Sequence, residues 1–242
     1  MVDSQGPARS KAPGSAAIFI MVVTTVLSDF QRQAMTLFKK STLAKSFYLA
    51  GGTALAEFYL QHRKSEDLDW FTQDELNLED LKRFSGKLQN LVKLDKIEFQ
   101  HGLGLYTFFF YPQGEVAKYK IDFGQYPFGT IKPLKKIDGL LVEDLYDIAV
   151  DKAHTISVRP RSRDFIDLYF ILQLKKDWRL EDLVKRAFEK FELRVDPLQL
   201  TENLLQVIHL EDLPIMLKPV DMKVLRQFFL NEAKKLKQEI FI

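Results

Sequence analysis

Three observations predict an α+β fold. An apolar run at Phe47–Ala50 breaks at Gly51-Gly52 into a stretch of helical spacing. Residues 96–123 alternate with the two-residue period of a sheet. From Val142 to the end the apolar residues recur at helical intervals. The composition, 46% hydrophobic and 28% charged, is that of an ordinary globular chain, and 242 residues suffice for one large domain or two small ones. The absence of cysteine excludes disulfides, thiolate metal sites and a cysteine nucleophile. His62, His101, His154 and His209 show no HxH or HxxxH spacing, which argues against a histidine zinc site. A net charge of +2 confines any nucleic-acid surface to a local patch.

Residues 1–20 begin with a Gly/Pro/Ser/Ala-rich stretch and are expected to be disordered or an extension, with Met21 a candidate natural start. The apolar Ala16–Leu27 segment is too short to cross a bilayer and is followed by no clean cleavage site, so a cytoplasmic protein without membrane contact is expected. Leu27, Phe30, Ala34, Leu37 and Phe38 predict an amphipathic helix over Thr25–Phe38. Phe47–Ala50 reads as a buried strand and Thr53–Gln61 as a helix carrying Leu55, Phe58 and Tyr59. Asp67–Phe71 reads as a strand, and Asn77 opens a helix to about Val92 through Leu81, Phe84 and Leu88. Strands follow at Lys96–His101, Leu105–Tyr111 and Val116–Phe123, the last two joined by Pro112-Gln113-Gly114-Glu115. Gly124–Leu141 is expected to be loop, with Lys132, Lys135 and Lys136 either ordinary surface or a polynucleotide contact. Helices are then expected from Val142, from Ser162, and over Leu180–Phe191, Asp196–Val207 and Asp221–Glu239.

The chemistry concentrates between Gly51 and Asp69. A strand, a glycine pair and a helix aim free backbone N–H groups and the positive helix end at an anion. On the following strand Asp67 and Asp69 project to one face while Leu68 and Trp70 turn to the core. Two carboxylates beside a phosphate cradle make an oxygen-rich site suited to Mg²⁺ on a nucleotide. Each feature alone has a blander meaning, a tight turn or a solvated strand edge; their order and spacing favour the site. Asp122 lies on a strand between apolar neighbours, so it is either beside a metal or on an exposed face. Lys152 interrupts an apolar helical stripe, either snorkelling to the surface or pairing with phosphate. Asp164 and Asp167 near a helix start also serve as ordinary dipole compensation.

GGTAL at Gly51–Leu55, HRKSEDLDWF at His62–Phe71 and DKAHTISVRPRSRDFIDLYFIL at Asp151–Leu172 resemble the AbiEii/AbiGii nucleotidyltransferase toxin family of the DNA polymerase beta-like superfamily. The resemblance implies a small mixed β-sheet with flanking helices, followed by a helical C-terminal part. Residues 21–141 would form the nucleotidyltransferase core and residues 142–242 the helical region packed on it. It places Gly51, Gly52 and the Thr53 hydroxyl at the triphosphate, and Arg63 and Ser65 in the short motif before the carboxylates. Asp67 and Asp69 match the metal pair, Asp122 the third carboxylate, and Lys152 the helix lysine expected on phosphate. Asp164 and Asp167, with Arg163, match a later motif that orients Lys152 or touches the nucleotide or acceptor. The implied activity is transfer of a nucleoside monophosphate from an NTP, with two Mg²⁺ ions, to an RNA end, tRNA being the leading acceptor. Such an enzyme would be the toxin of a toxin–antitoxin or phage-defence pair, with an antitoxin as a possible partner. The rival readings are transfer to a small molecule or protein, and a binding module without turnover.

Overall fold

The computed structural model describes residues 25–114 and 118–240. The extension expected at residues 1–20, the start at Met21 and the turn position Glu115 lie outside the described residues. Among the described residues seven strands form one sheet: β1 (Tyr48–Leu49), β2 (Asp67–Thr72), β3 (Lys96–Gly102), β4 (Leu105–Tyr111), β5 (Tyr119–Gln125), β6 (Lys135–Ile137) and β7 (Leu140–Val142). Their order is β3-β4-β5-β2-β1-β7-β6. The β2/β5 and β1/β7 pairs are parallel and the other four antiparallel, so the sheet is mixed.

Two helices, α1 (Asp29–Lys39) and α3 (Leu78–Val92), bury their apolar stripes on one sheet face. Phe38 stacks on Trp70 of β2 with ring centroids 3.7 Å apart, and Phe84 meets Phe123 of β5 edge-on. α1 starts at a capping box made by Ser28 and Gln31, and the Gln31 amide also donates to the Ser65 carbonyl at 2.9 Å. That bond ties the helix to the loop feeding the carboxylate strand. Asn77 caps α3, as its sequence position predicts.

Two expectations need correction. The Gly124–Leu141 segment is not all loop: it holds the β6–β7 hairpin, and β7 pairs with β1. The Asp138-Gly139 turn has φ of 48° and 79°, the left-handed pair that a two-residue hairpin requires. The prolines nearby masked that dipeptide signal. The helix expected over Thr53–Gln61 starts earlier, as α2 (Gly51–Leu55), and widens into a π turn over Ala56–Leu60.

The named elements after β7 are helices: α4 (Leu145–Val158), α5 (Ser162–Leu174), α6 (Leu180–Phe191), α7 (Pro197–Leu205) and α8 (Met222–Ile240). α4 packs on α2 and is itself surrounded by α5, α6 and α7. The stretch before α8 returns to the core: Lys64 N–H donates to the Ile215 carbonyl, and Leu217 N–H to that of His62, both at 2.8 Å. No helix among the described residues is long and apolar enough to cross a membrane.

Candidate active site

β1 and α2 meet at Gly51, and β2 lies alongside β1. Gly51 has φ of +66°, and a Cβ there would stand 3.0 Å from Asp69 Oδ2, so both conformation and contact call for glycine. At Gly52 a Cβ would sit 2.6 Å from Arg63 Nη2, so glycine lets the guanidinium lie against the helix start. The first-turn amides of α2 have no carbonyl within their own helix to bond. The Gly51 N–H faces Glu143 Oε2 at 3.4 Å. The Thr53 hydroxyl bonds the Asp67 carbonyl and Ser65 Oγ, the latter at 2.7 Å, which fixes the chain just before the carboxylates.

On the open sheet face the register sets Asp67 beside Lys120 and Asp69 beside Asp122. Lys120 Nζ lies 3.0 Å from Asp67 Oδ2 and 2.9 Å from Asp122 Oδ2. Asp122 also accepts from Thr107 Oγ1 of β4 at 2.6 Å. One lysine thus bridges Asp67 and Asp122, and Asp69 lies next to Asp122. The Asp69 pKa is pushed up to about 6, first by removal from water and then by the Asp122 charge. Among the described residues no three His, Asp or Glu side chains converge into a ready-made metal cage. The donor set nonetheless fits a hard cation: it is all oxygen, it has excess negative charge, and an ammonium already bridges two of its members.

Lys152, Asp164 and Asp167 form a second cluster, buried between α4, α5 and the Arg63 segment that precedes β2. Lys152 Nζ is 2.7 Å from Asp164 Oδ1 and 2.7 Å from Asp167 Oδ2. Arg63 grips Asp167 with two donors, Nε at 2.6 Å and Nη2 at 2.8 Å, and His62 Nε2 reaches the same carboxylate at 2.8 Å. Burial alone would raise the Asp167 pKa. The Lys152 ammonium and the Arg63 and His62 hydrogen bonds overcome this and hold it far below the usual range. Burial keeps His62 neutral by lowering its pKa, so two cations balance two anions. Arg63 is the link between the clusters, touching Asp167 on one side and Gly52 on the other.

A cavity of about 450 Å³ opens beside Gly51. Phe71, Tyr126, Phe128 and Phe191 line it, with Glu143 and Asp151 among its polar groups. Burial, then the Asp151 charge, raises the Glu143 pKa well above the ordinary value.

The family model for the nucleotidyl transferase AbiEii toxin of type IV toxin–antitoxin systems matches residues 33–238. The chain belongs to this family. As an AbiEii nucleotidyltransferase it is 33% identical over 167 residues to an uncharacterized protein of Aquifex aeolicus (strain VF5), covering 68% of this chain and 76% of that one. Its fold is similar to JHP933 from Helicobacter pylori, with TM-score 0.54 at 17% identity over 87% of this chain and 93% of that one. A second H. pylori structure, described as a candidate nucleotidyltransferase, gives TM-score 0.57 at 18% identity over 88% and 97% of the two chains.

Of the residues singled out in the AbiEii motifs, Gly51, Gly52, Thr53, Arg63, Ser65, Asp67, Asp69 and Asp122 gather around the β1–α2 junction. Lys152, Asp164 and Asp167 stand behind them and connect through Arg63. Sequence reasoning missed Lys120, Thr107, Glu143 and His62. Lys120 had a signal, since it alternates onto the Asp122 face of one strand. Thr107 had none, because its approach depends on the β4/β5 register.

Proposed function

We propose that this AbiEii enzyme transfers a nucleoside monophosphate from an NTP to an RNA end, with Mg²⁺ held by Asp67, Asp69 and Asp122. The observation that carries the reading is the group of three carboxylates, two of them bridged by Lys120, beside a glycine-opened helix. Bound there, Mg²⁺ would supply Lewis-acid stabilisation of the oxygens whose charge changes in the transfer. In the reaction the acceptor oxygen bonds to the α-phosphorus, the α–β phosphoanhydride breaks, pyrophosphate leaves and the acceptor proton passes to solvent or a base.

The chain's own part is placement and electrostatics. The Gly52 and Thr53 amides at the α2 start would receive the triphosphate, and the Arg63 guanidinium beside them adds fixed positive charge. The aromatic cavity beside Gly51 has room for the nucleobase. Thr107 and Lys120 orient Asp122. Lys152, with two of its three donors on Asp164 and Asp167, acts by holding the partner of Arg63. We place the enzyme in the cytoplasm, as the toxin of a pair whose antitoxin restrains it, and tRNA is the acceptor class to try first. We also propose a division into a core and a helical region, set after Val142 rather than at residue 141, which falls inside β7.

The test is incubation of the purified protein with Mg²⁺, each α-labelled NTP in turn and total bacterial RNA, beside Asp67→Ala/Asp69→Ala. Label on small RNAs with the wild type alone is the expected result. Label on protein or a small molecule instead, or equal labelling by the variant, would overturn it.

A further inference from the structure

The sheet face that carries Asp67, Asp69 and Asp122 continues past them across β4 and β3. The register runs Asp67–Lys120–Phe109–Glu98 in one cross-strand row, with Tyr111 opposite Lys96 one step further along. Adjacent strands lie about 4.8 Å apart, so Phe109 stands roughly 10 Å from Asp67 on the same face. Neither ring is buried: the β4 pattern hides Phe108 and Phe110 in the core and leaves Phe109 and Tyr111 half-buried. Each ring carries a lysine. Lys118 Nζ lies 3.9 Å from the Phe109 centroid and Lys96 Nζ 5.6 Å from that of Tyr111. The Tyr111 hydroxyl donates to Glu98 Oε2 at 2.7 Å, which steadies the ring.

We propose that this ring-and-lysine face of β3–β4–β5 is the platform on which the single-stranded end of a polynucleotide acceptor stacks as it enters the carboxylate site. The inference rests on the transferase reading above and adds where the acceptor lies. Unpaired bases offer flat faces to Phe109 and Tyr111, whereas the bases of a duplex are already stacked. Lys96, Lys118 and Lys120 border the rings where a phosphate backbone would run. Glu98 is the one carboxylate beside the rings on β3 and opposes that backbone. It sets a sign: Glu98→Gln strengthens acceptor binding.

The experiment measures anisotropy of a fluorescent ten-nucleotide single-stranded RNA on the full chain without NTP, alongside the KM for NTP and for RNA in the transfer assay. The wild type should bind the single strand at least about 10-fold tighter than a duplex of the same length. Phe109→Ala/Tyr111→Ala should weaken that binding by about 10-fold or more. It should raise the acceptor KM and leave the NTP KM in place. Phe109→Tyr/Tyr111→Phe, which keeps both rings, should bind within about 3-fold of wild type. The exposed pair Lys96→Ala/Lys118→Ala disturbs no core packing and should weaken binding several-fold, with a shallower salt dependence. Wild-type affinity in the double-alanine variant, equal affinity for duplex, or no binding of the single strand would each overturn the platform. Ring-dependent binding without any label transfer would sustain the platform and sink the transferase reading instead.

Discussion

The two charge clusters joined by Arg63 contrast in balance and exposure. The sheet cluster holds Asp67, Asp69 and Asp122 against one lysine and is partly open to solvent. The helix cluster holds Asp164 and Asp167 against Lys152 and Arg63, all buried. A balanced buried cluster satisfies itself; removing any member leaves a charge without water or partner. An unbalanced open cluster is short of positive charge and gains by taking a cation or a charged substrate. Both sets belong to the same motifs, so sequence position does not separate chemistry from scaffold. The charge count does.

The largest expected effect is on turnover. Asp69→Asn should lower nucleotidyl transfer by about 10³-fold or more, several kcal/mol of lost metal-assisted stabilisation. The same variant should fold at least as stably at pH 7, because it removes a crowded, desolvated carboxylate. Next comes the buried cluster. Asp167→Asn or Lys152→Met should cost about 3–5 kcal/mol of unfolding free energy, read by urea titration. A smaller cost of about 1–3 kcal/mol is expected for Gly52→Ala, whose new methyl displaces Arg63.

An effect of similar size is expected on the pH dependence of the metal-free protein. An unfolded Asp69 loses its proton near 3.8 and the folded one near 6. Between these values the folded chain binds more protons, so this group's contribution to stability falls as pH rises and is fully lost above about 6. The difference between wild type and Asp69→Asn isolates it, at roughly 1–3 kcal/mol across that window. A difference that does not change with pH would show that Asp69 is not crowded.

Local signals made much of this legible in the sequence. The Asn77 cap and the Asp67/Asp69 alternation each depend on neighbours in the chain, and each appears where expected. The β6–β7 hairpin was hidden because three-residue strands carry almost no periodicity, although Asp138-Gly139 marked its turn. The joining of Arg63 to Asp167 spans 104 residues and is set by packing of α4 and α5, so no spacing rule announces it. The motif resemblance grouped those residues without saying whether they touch substrate or each other.

The most direct test measures unfolding free energy and label transfer side by side for Asp69→Asn and Asp167→Asn. The account predicts an Asp69 variant at least as stable as wild type with no transfer, and an Asp167 variant losing about 3–5 kcal/mol of stability. Retained transfer in the Asp69 variant would contradict it. So would an Asp167 variant of full stability that has lost transfer alone, since the buried cluster would then be chemistry rather than scaffold.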